Sequence, residues 1–274
     1  MEENIKTIKI LGHEIEYLEI NNKKKNTLLM LHGMNSSYKF AKDLYPLVKD
    51  FNVISINFPL NEATAFSSKE ISMDILVEIT NEIINQIKTK VYILGHSLAG
   101  GIISTIKNVK KVFYLCTINP SMFSSEEFNK YKKILLPNSK GDKIKNVLYK
   151  GVISNVLAIN DKKASYFMKL MLSNNSGYKN IVTNNLLNEE YIFIKLKDDY
   201  LKNKNKSIYI TGEKDLIVNS KRFISFIESI DKRTIVVDNA GHNPIVDNPE
   251  LIYSILKENI PNKKYWFKKN IHLF

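Results

Sequence analysis

Six short apolar runs, most of them separated by stretches of helical spacing, constrain this chain more than any other feature. They are TLLMLHG (Thr27 to Gly33), NVISINFP (Asn52 to Pro59), VYIL (Val91 to Leu94), KVFYLCTINP (Lys111 to Pro120), SIYITG (Ser207 to Gly212) and TIVVDNAGH (Thr234 to His242). TLLMLHG, continuous and stopped by glycine, reads as a strand buried on both faces, KVFYLCTINP as another buried strand, and the other runs as strand-like. Between them, Ser36 to Asp50 carries Phe40, Leu44, Leu47 and Val48 at helical spacing, and Glu70 to Lys88 reads as an amphipathic helix. Further helices are expected near Arg222–Ile230 and Pro249–Ile260. Such alternation predicts an α/β fold, a mostly parallel sheet with helices on both faces. Ahead of it, Ile5 to Ile20 alternates like two short strands turning near Gly12.

The pattern stops between Ser121 and Lys206. That segment is polar, interrupted by Pro137, Gly141, Gly151 and Gly177, with helix-like patches around Val147–Ile159, Tyr166–Leu172 and Asn188–Leu201. Because the strand pattern then resumes, residues 121–205 read as a helical cap inserted into a core formed by 1–120 and 206–274. An apolar cluster inside it (Phe167, Met168, Leu170, Met171, Leu172) suits the packing of a cap helix, or a wall for an acyl chain.

Composition narrows the function classes. A chain of 274 residues, 44% hydrophobic, can bury the core of one α/β domain with an insertion. The opening MEENIKTIK lacks the apolar stretch of a signal peptide, and the single cysteine, Cys116, fits a reducing compartment, so a cytoplasmic location is expected. The formal charge is +12, yet arginine occurs only at Arg222 and Arg233. Phosphate and base-edge recognition draws on arginine's planar fork, so this composition argues against nucleic acid as a partner. The lysines are scattered along the sequence and read as the codon bias of an AT-rich genome. Lysine is sufficient for weak peripheral association with an anionic membrane.

Chemistry-bearing residues gather where the strands stop, which is where open α/β sheets place their sites. The ends carry His32, Gly33 and Met34; His96 and Ser97; Asp215; and His242. A serine hydroxyl needs a base to take its proton, and the base works best when a carboxylate fixes its tautomer. Ser97 stands between a strand-like run and Ile102, Ile103 and Ile106 at helical spacing, among Gly95, Ala99, Gly100 and Gly101. The order Ser97, Asp215, His242 is the one expected of a nucleophile elbow on such a sheet. Asp238 is a rival acid, but it falls within the last strand run; Asp247 falls beyond the histidine.

Through Leu31-His32-Gly33-Met34, Gly95-His96-Ser97-Leu98-Ala99-Gly100, Gly212-Glu213-Lys214-Asp215 and Ala240-Gly241-His242, the chain resembles the α/β-hydrolase fold superfamily, serine-hydrolase type. The likeness spans about Thr27 to Ile260, the cap excepted. It implies Ser97 as nucleophile, His242 as general base and acid, Asp215 as the carboxylate behind it, and the backbone N–H groups of Met34 and Leu98 as the oxyanion hole. Two departures stand out. Ala99 replaces the usual glycine two residues after the nucleophile, and FPLN (Phe58 to Asn61) replaces the Asp-x-x-Gly-x-Gly turn of ester- and epoxide-hydrolysing relatives.

The reading is a cofactor-independent esterase- or lipase-like enzyme acting on a small ester or acyl substrate. The same triad serves a thioesterase or a proline-iminopeptidase-like peptidase, and an inactive ligand-binding relative keeps the fold without the chemistry. His32 and His96 are expected to pack beneath the site. Five histidines without ligand spacing, and no dinucleotide or phosphate-loop motif, leave no cofactor or metal expected. Cys116 reads as inert core.

Overall fold

The computed structural model describes residues 3–34, 36–58, 71–128, 186 and 188–261. Eight strands form one sheet in the order β1-β2-β4-β3-β5-β6-β7-β8. They are β1 (Glu3–Ile10), β2 (His13–Ile20), β3 (Asn26–Leu31), β4 (Asn52–Ile56), β5 (Lys90–His96), β6 (Val112–Leu115), β7 (Ser207–Gly212) and β8 (Thr234–Val237). The β1–β2 and β2–β4 pairs are antiparallel; every other pair is parallel. The predicted fold class holds.

Alternation within the apolar runs feeds two cores. Leu29 and Leu31 of β3, Ile93 of β5 and Tyr114 of β6 enter one cluster; Leu28 and Met30, Leu94, and Phe113 enter the other. All six residues of β3 are buried, so both faces of the strand need apolar side chains, each contributing about 1.5–3 kcal/mol on burial. Helix α1 (Met73–Gln86) covers the first face with α2 (Ala99–Ile103), α3 (Leu196–Asn203) and α4 (Ser220–Ser229). The short α5 (Pro244–Asp247) and α6 (Pro249–Asn259) cover the second. Helix α1 starts where Ser72 Oγ accepts the Ile75 N–H, and its buried positions Met73, Leu76, Ile79, Thr80, Ile83 and Ile84 follow the helical period.

The helical spacing in Ser36–Asp50 resolves differently. That stretch is two 3₁₀ turns, Tyr38–Ala41 and Tyr45–Leu47. Pro46 has no N–H to continue an α-helix, and the chain closes i→i−3 bonds instead, Leu47 to Leu44 and Val48 to Tyr45. The residues expected to form the cap lie mostly outside the described ones, including Val147–Ile159 and Tyr166–Leu172 with the Phe167 to Leu172 cluster. The described end of that segment is a π-helical turn, Tyr191–Lys195, running into α3. No helix among the described residues is long and apolar enough to cross a membrane.

Candidate active site

Strand β5 ends at His96, and Ser97 follows in the left-handed region at φ 55°. A non-glycine residue there costs about 1–3 kcal/mol, so the surroundings must enforce it. They do so through the backbone: the Ser97 N–H donates to Leu115 C=O at 3.2 Å, and its own carbonyl accepts from Gly100 at 3.0 Å and Ile118 at 3.1 Å. Crowding by small residues has a steric cause. A Cβ on Gly100 would lie 2.4 Å from Thr117 Cβ, so the turn into α2 closes only with glycine. Ala99 is tolerated, fully buried at the start of α2. The helix itself is five residues long. The Asn203 amide ends it, donating to the carbonyls of Ile103, Ser104 and Ile106.

Two loops complete the constellation. Asp215 sits three residues past β7, almost fully buried, and its Oδ1 accepts the N–H groups of Ile217 at 2.9 Å and Val218 at 3.3 Å. His242 follows β8, with Nδ1 2.9 Å from Asp215 Oδ2 and Nε2 2.9 Å from Ser97 Oγ. Burial pushes the Asp215 carboxyl up. The His242 charge and hydrogen bond, the Cys116 thiol and the Ile217 N–H outweigh it and hold the carboxyl below its usual range. The loops approach as closely as backbone allows: a Cβ on Gly212 would lie 2.1 Å from the Gly241 carbonyl oxygen. The rival Asp238 is exposed just after β8 ends at Val237. Asp247 accepts the Gly241 N–H at 2.8 Å, bracing the histidine loop from outside the triad.

The two inner histidines brace the site. His32 is fully buried; its Nδ1 donates to Gly33 C=O at 2.6 Å and its Nε2 accepts the Phe58 N–H at 2.9 Å. Burial lowers its pKa to about 4, so it stays neutral with both nitrogens engaged. His96 Nε2 donates to the His242 carbonyl at 2.8 Å while its ring stacks on Phe40. Burial and the neighbouring His242 charge lower its pKa to about 3. The sequence placed both residues beneath the site. It carried no signal that His96 would hold the backbone of the histidine 146 residues away.

Gly33 brings the loop after β3 against the serine, since a Cβ there would lie 2.7 Å from Ser97 Cβ and 3.2 Å from Oγ. Among the described residues the Met34 and Leu98 N–H groups, expected as oxyanion donors, have no hydrogen-bond partner. Leu98 also opens α2, where the helix dipole favours negative charge.

Cys116 lies behind the Asp215–His242 pair. Its Sγ accepts the Gly212 N–H at 3.4 Å and contacts Gly241 C=O at 3.8 Å, bridging the strand end before Asp215 and the residue before His242. Cys116, Asp215 and His242 form the one metal-ligand-type cluster among the described residues, their donor atoms within 4.8 Å of one another. Asp215 and His242 already bond each other, and burial, then the Asp215 charge, pushes the Cys116 thiol well up. A protonated thiol offers a cation no ligand charge. A disulfide-exchange reagent is therefore expected to label no thiol in the native protein and one per chain after guanidinium unfolding. Rapid native labelling would mean that the β6 end opens.

No protein-family model matches this chain, and no curated protein does. Solved structures do. An esterase (EaEST) from Exiguobacterium antarcticum is 17% identical, with 92% of this chain and 97% of that one covered at a TM-score of 0.70. A bromoperoxidase from Bacillus anthracis is 14% identical over 94% and 99%, also at 0.70. A membrane phospholipase A, described as a bacterial virulence factor, is 17% identical over 94% and 85%, again at 0.70. The chain has the α/β-hydrolase fold. Identities this low establish the fold alone, and an α/β-hydrolase fold carries several chemistries.

Proposed function

We propose that this α/β-hydrolase-fold protein is a cofactor-independent serine hydrolase that cleaves carboxylic esters through an acyl-enzyme on Ser97. The observation carrying the reading is the unbroken chain from Ser97 Oγ through the His242 imidazole to Asp215, 2.9 Å at each link. As Ser97 Oγ attacks the acyl carbon, His242 Nε2 takes its proton, and Asp215 holds the Nδ1–H and stabilises the imidazolium. The oxyanion forms toward the Leu98 and Met34 N–H groups, where losing one donor typically costs about 10²–10³ in rate. His242 then protonates the leaving alcohol. In the second half it takes a proton from water, which attacks the acyl-enzyme and frees the acid and Ser97.

Hydrolysis of p-nitrophenyl esters from acetyl to palmitoyl tests this. The expected result is turnover with a preferred chain length, accompanied by covalent labelling of Ser97 with a fluorophosphonate. Labelling without ester turnover would move the assignment to a thioester or peptide substrate. A serine inert to both would leave a ligand-binding relative.

A further inference from the structure

The lysines scattered along the sequence are not scattered in the fold. Parallel pairing aligns the starts of β3 to β8 at one end of the sheet, opposite the triad. The segments leading into these six strands (21–25, 48–51, 87–90, 104–111, 202–206 and 230–233) contain fourteen Lys or Arg residues and two acids. One of the acids, Asp50, is already engaged by Lys257 and Tyr253. The described segments that follow the same strands (32–34, 57–58, 97–98, 116–119, 213–219 and 238–243) contain one lysine and three acids. Among the described residues, charge is polarised along the strands.

Neither codon bias nor solubility accounts for that asymmetry. A genome-wide excess of lysine has no preference for strand direction, and charges that guard apolar strands from aggregation serve equally at both ends. Helix C-termini do favour cations, and α1, α3, α4 and α6 end at this pole. Their dipoles amount to about half a charge each, far less than the excess. Glu82, Glu228 and Glu258 near the helix ends, and Asp199, which pairs with Lys202 at 2.7 Å, still leave a large cationic surplus.

The surface is also shaped. Two adjoining hollows, ≈ 550 and ≈ 410 Å³, share Lys107; Lys90 and Lys110 line the first, Lys202 and Lys206 the second. Six strands at about 4.8 Å spacing make the pole about 24 Å wide, and a Debye length of about 10 Å lets neighbouring charges act together.

We infer that this pole is a docking face for an anionic lipid bilayer, seating phosphate headgroups in the hollows beside Lys107 while the triad faces away toward solution. Charge complementarity over a broad face favours a bilayer. Of the fourteen cations only Arg233 is arginine, and lysine point charges suit headgroups better than base edges. The inference does not rest on the proposed hydrolysis.

Vesicle sedimentation tests it. The protein is expected to pellet with phosphatidylcholine vesicles containing about a third phosphatidylglycerol at low salt, to be released at high salt, and to ignore pure phosphatidylcholine. Each lysine near such a surface contributes about fivefold in binding. The triple variant Lys90→Glu, Lys107→Glu, Lys110→Glu changes six charge units and should therefore lose on the order of ten-thousandfold, with a melting temperature near wild type. Lys9→Glu, Lys39→Glu, Lys42→Glu makes the same charge change away from this pole and should lose far less. Lys→Gln at the three pole positions, expected to weaken binding about half as much on a logarithmic scale, serves if charge reversal impairs folding. Failure of the wild type to pellet with anionic vesicles overturns the inference. So does equal loss in both triple variants, or tighter binding to a short RNA that the pole variant abolishes.

Discussion

Replacing Ser97 by alanine is expected to lower kcat by about 10⁵–10⁶-fold on whichever ester the wild type prefers, with the fold unchanged. Alanine fits the site because only Oγ is removed, and the contacts that hold the elbow are backbone bonds to Leu115, Gly100 and Ile118. What disappears is the atom 2.9 Å from His242 Nε2. Residual activity would come from binding and from the oxyanion donors. A loss of only about tenfold would assign Ser97 a role in binding and send the nucleophile elsewhere. Ser97→Gly adds an independent readout. At φ 55° the serine backbone is strained, and glycine relieves part of that strain. The glycine variant should be as inactive as the alanine variant yet melt about 2–4 °C above it, for a gain of about 1 kcal/mol. Such a pair of results would show that the elbow trades stability for an exposed hydroxyl.

What the sequence disclosed and what it hid have different physical origins. The strands were legible because β3 to β6 are buried on both faces, so their apolar runs are continuous and end abruptly; β8, at the sheet edge with Ile235 and Val236 exposed, was legible from its β-branched residues alone. The candidate triad was legible for the same reason. A polar residue just past a buried strand has few structural roles, and Ser97, Asp215 and His242 stand in such places. Contacts made by partners far apart in sequence were not legible. Nothing local says that Asn203 will take the carbonyls of Ile103, Ser104 and Ile106 and stop α2 after five residues. The apolar spacing of Ser36–Asp50 suggested a helix because it records burial, and 3₁₀ turns bury the same side chains; the hydrogen-bond pattern was decided by Pro46. The charge polarity is the clearest case. Strand direction alone turns fourteen scattered cations into one face, and direction is a property of pairing, not of any run.

Acid should unfold this protein well before its exposed carboxylates are neutralised. In the unfolded chain a histidine takes up its proton near pH 6.5, whereas folded His32 holds out to about 4 and His96 to about 3. Between those limits the unfolded state binds more protons, so stability rises with pH and falls on acidification. The penalty is fully developed only below the folded values, at about 3 kcal/mol for His32 and about 5 for His96 at 1.36 kcal/mol per unit. Asp215 acts in the same sense at lower pH, because its depressed carboxyl contributes stability that is lost as pH falls through its folded value. Against a total of about 5–15 kcal/mol these terms are large. Urea unfolding should show stability declining by up to about 2.7 kcal/mol per pH unit between pH 6 and 4, the slope for two protons. His32→Asn should remove about half of that slope, whatever its effect at neutral pH. A flat profile from pH 6.5 to 4.5 would mean that both imidazoles charge in the native state. The local consequence explains why neutrality matters at the site. Protonated His32 would turn Nε2 from an acceptor into a donor facing the Phe58 N–H, pushing apart the loop that carries Gly33 and Met34 beside Ser97.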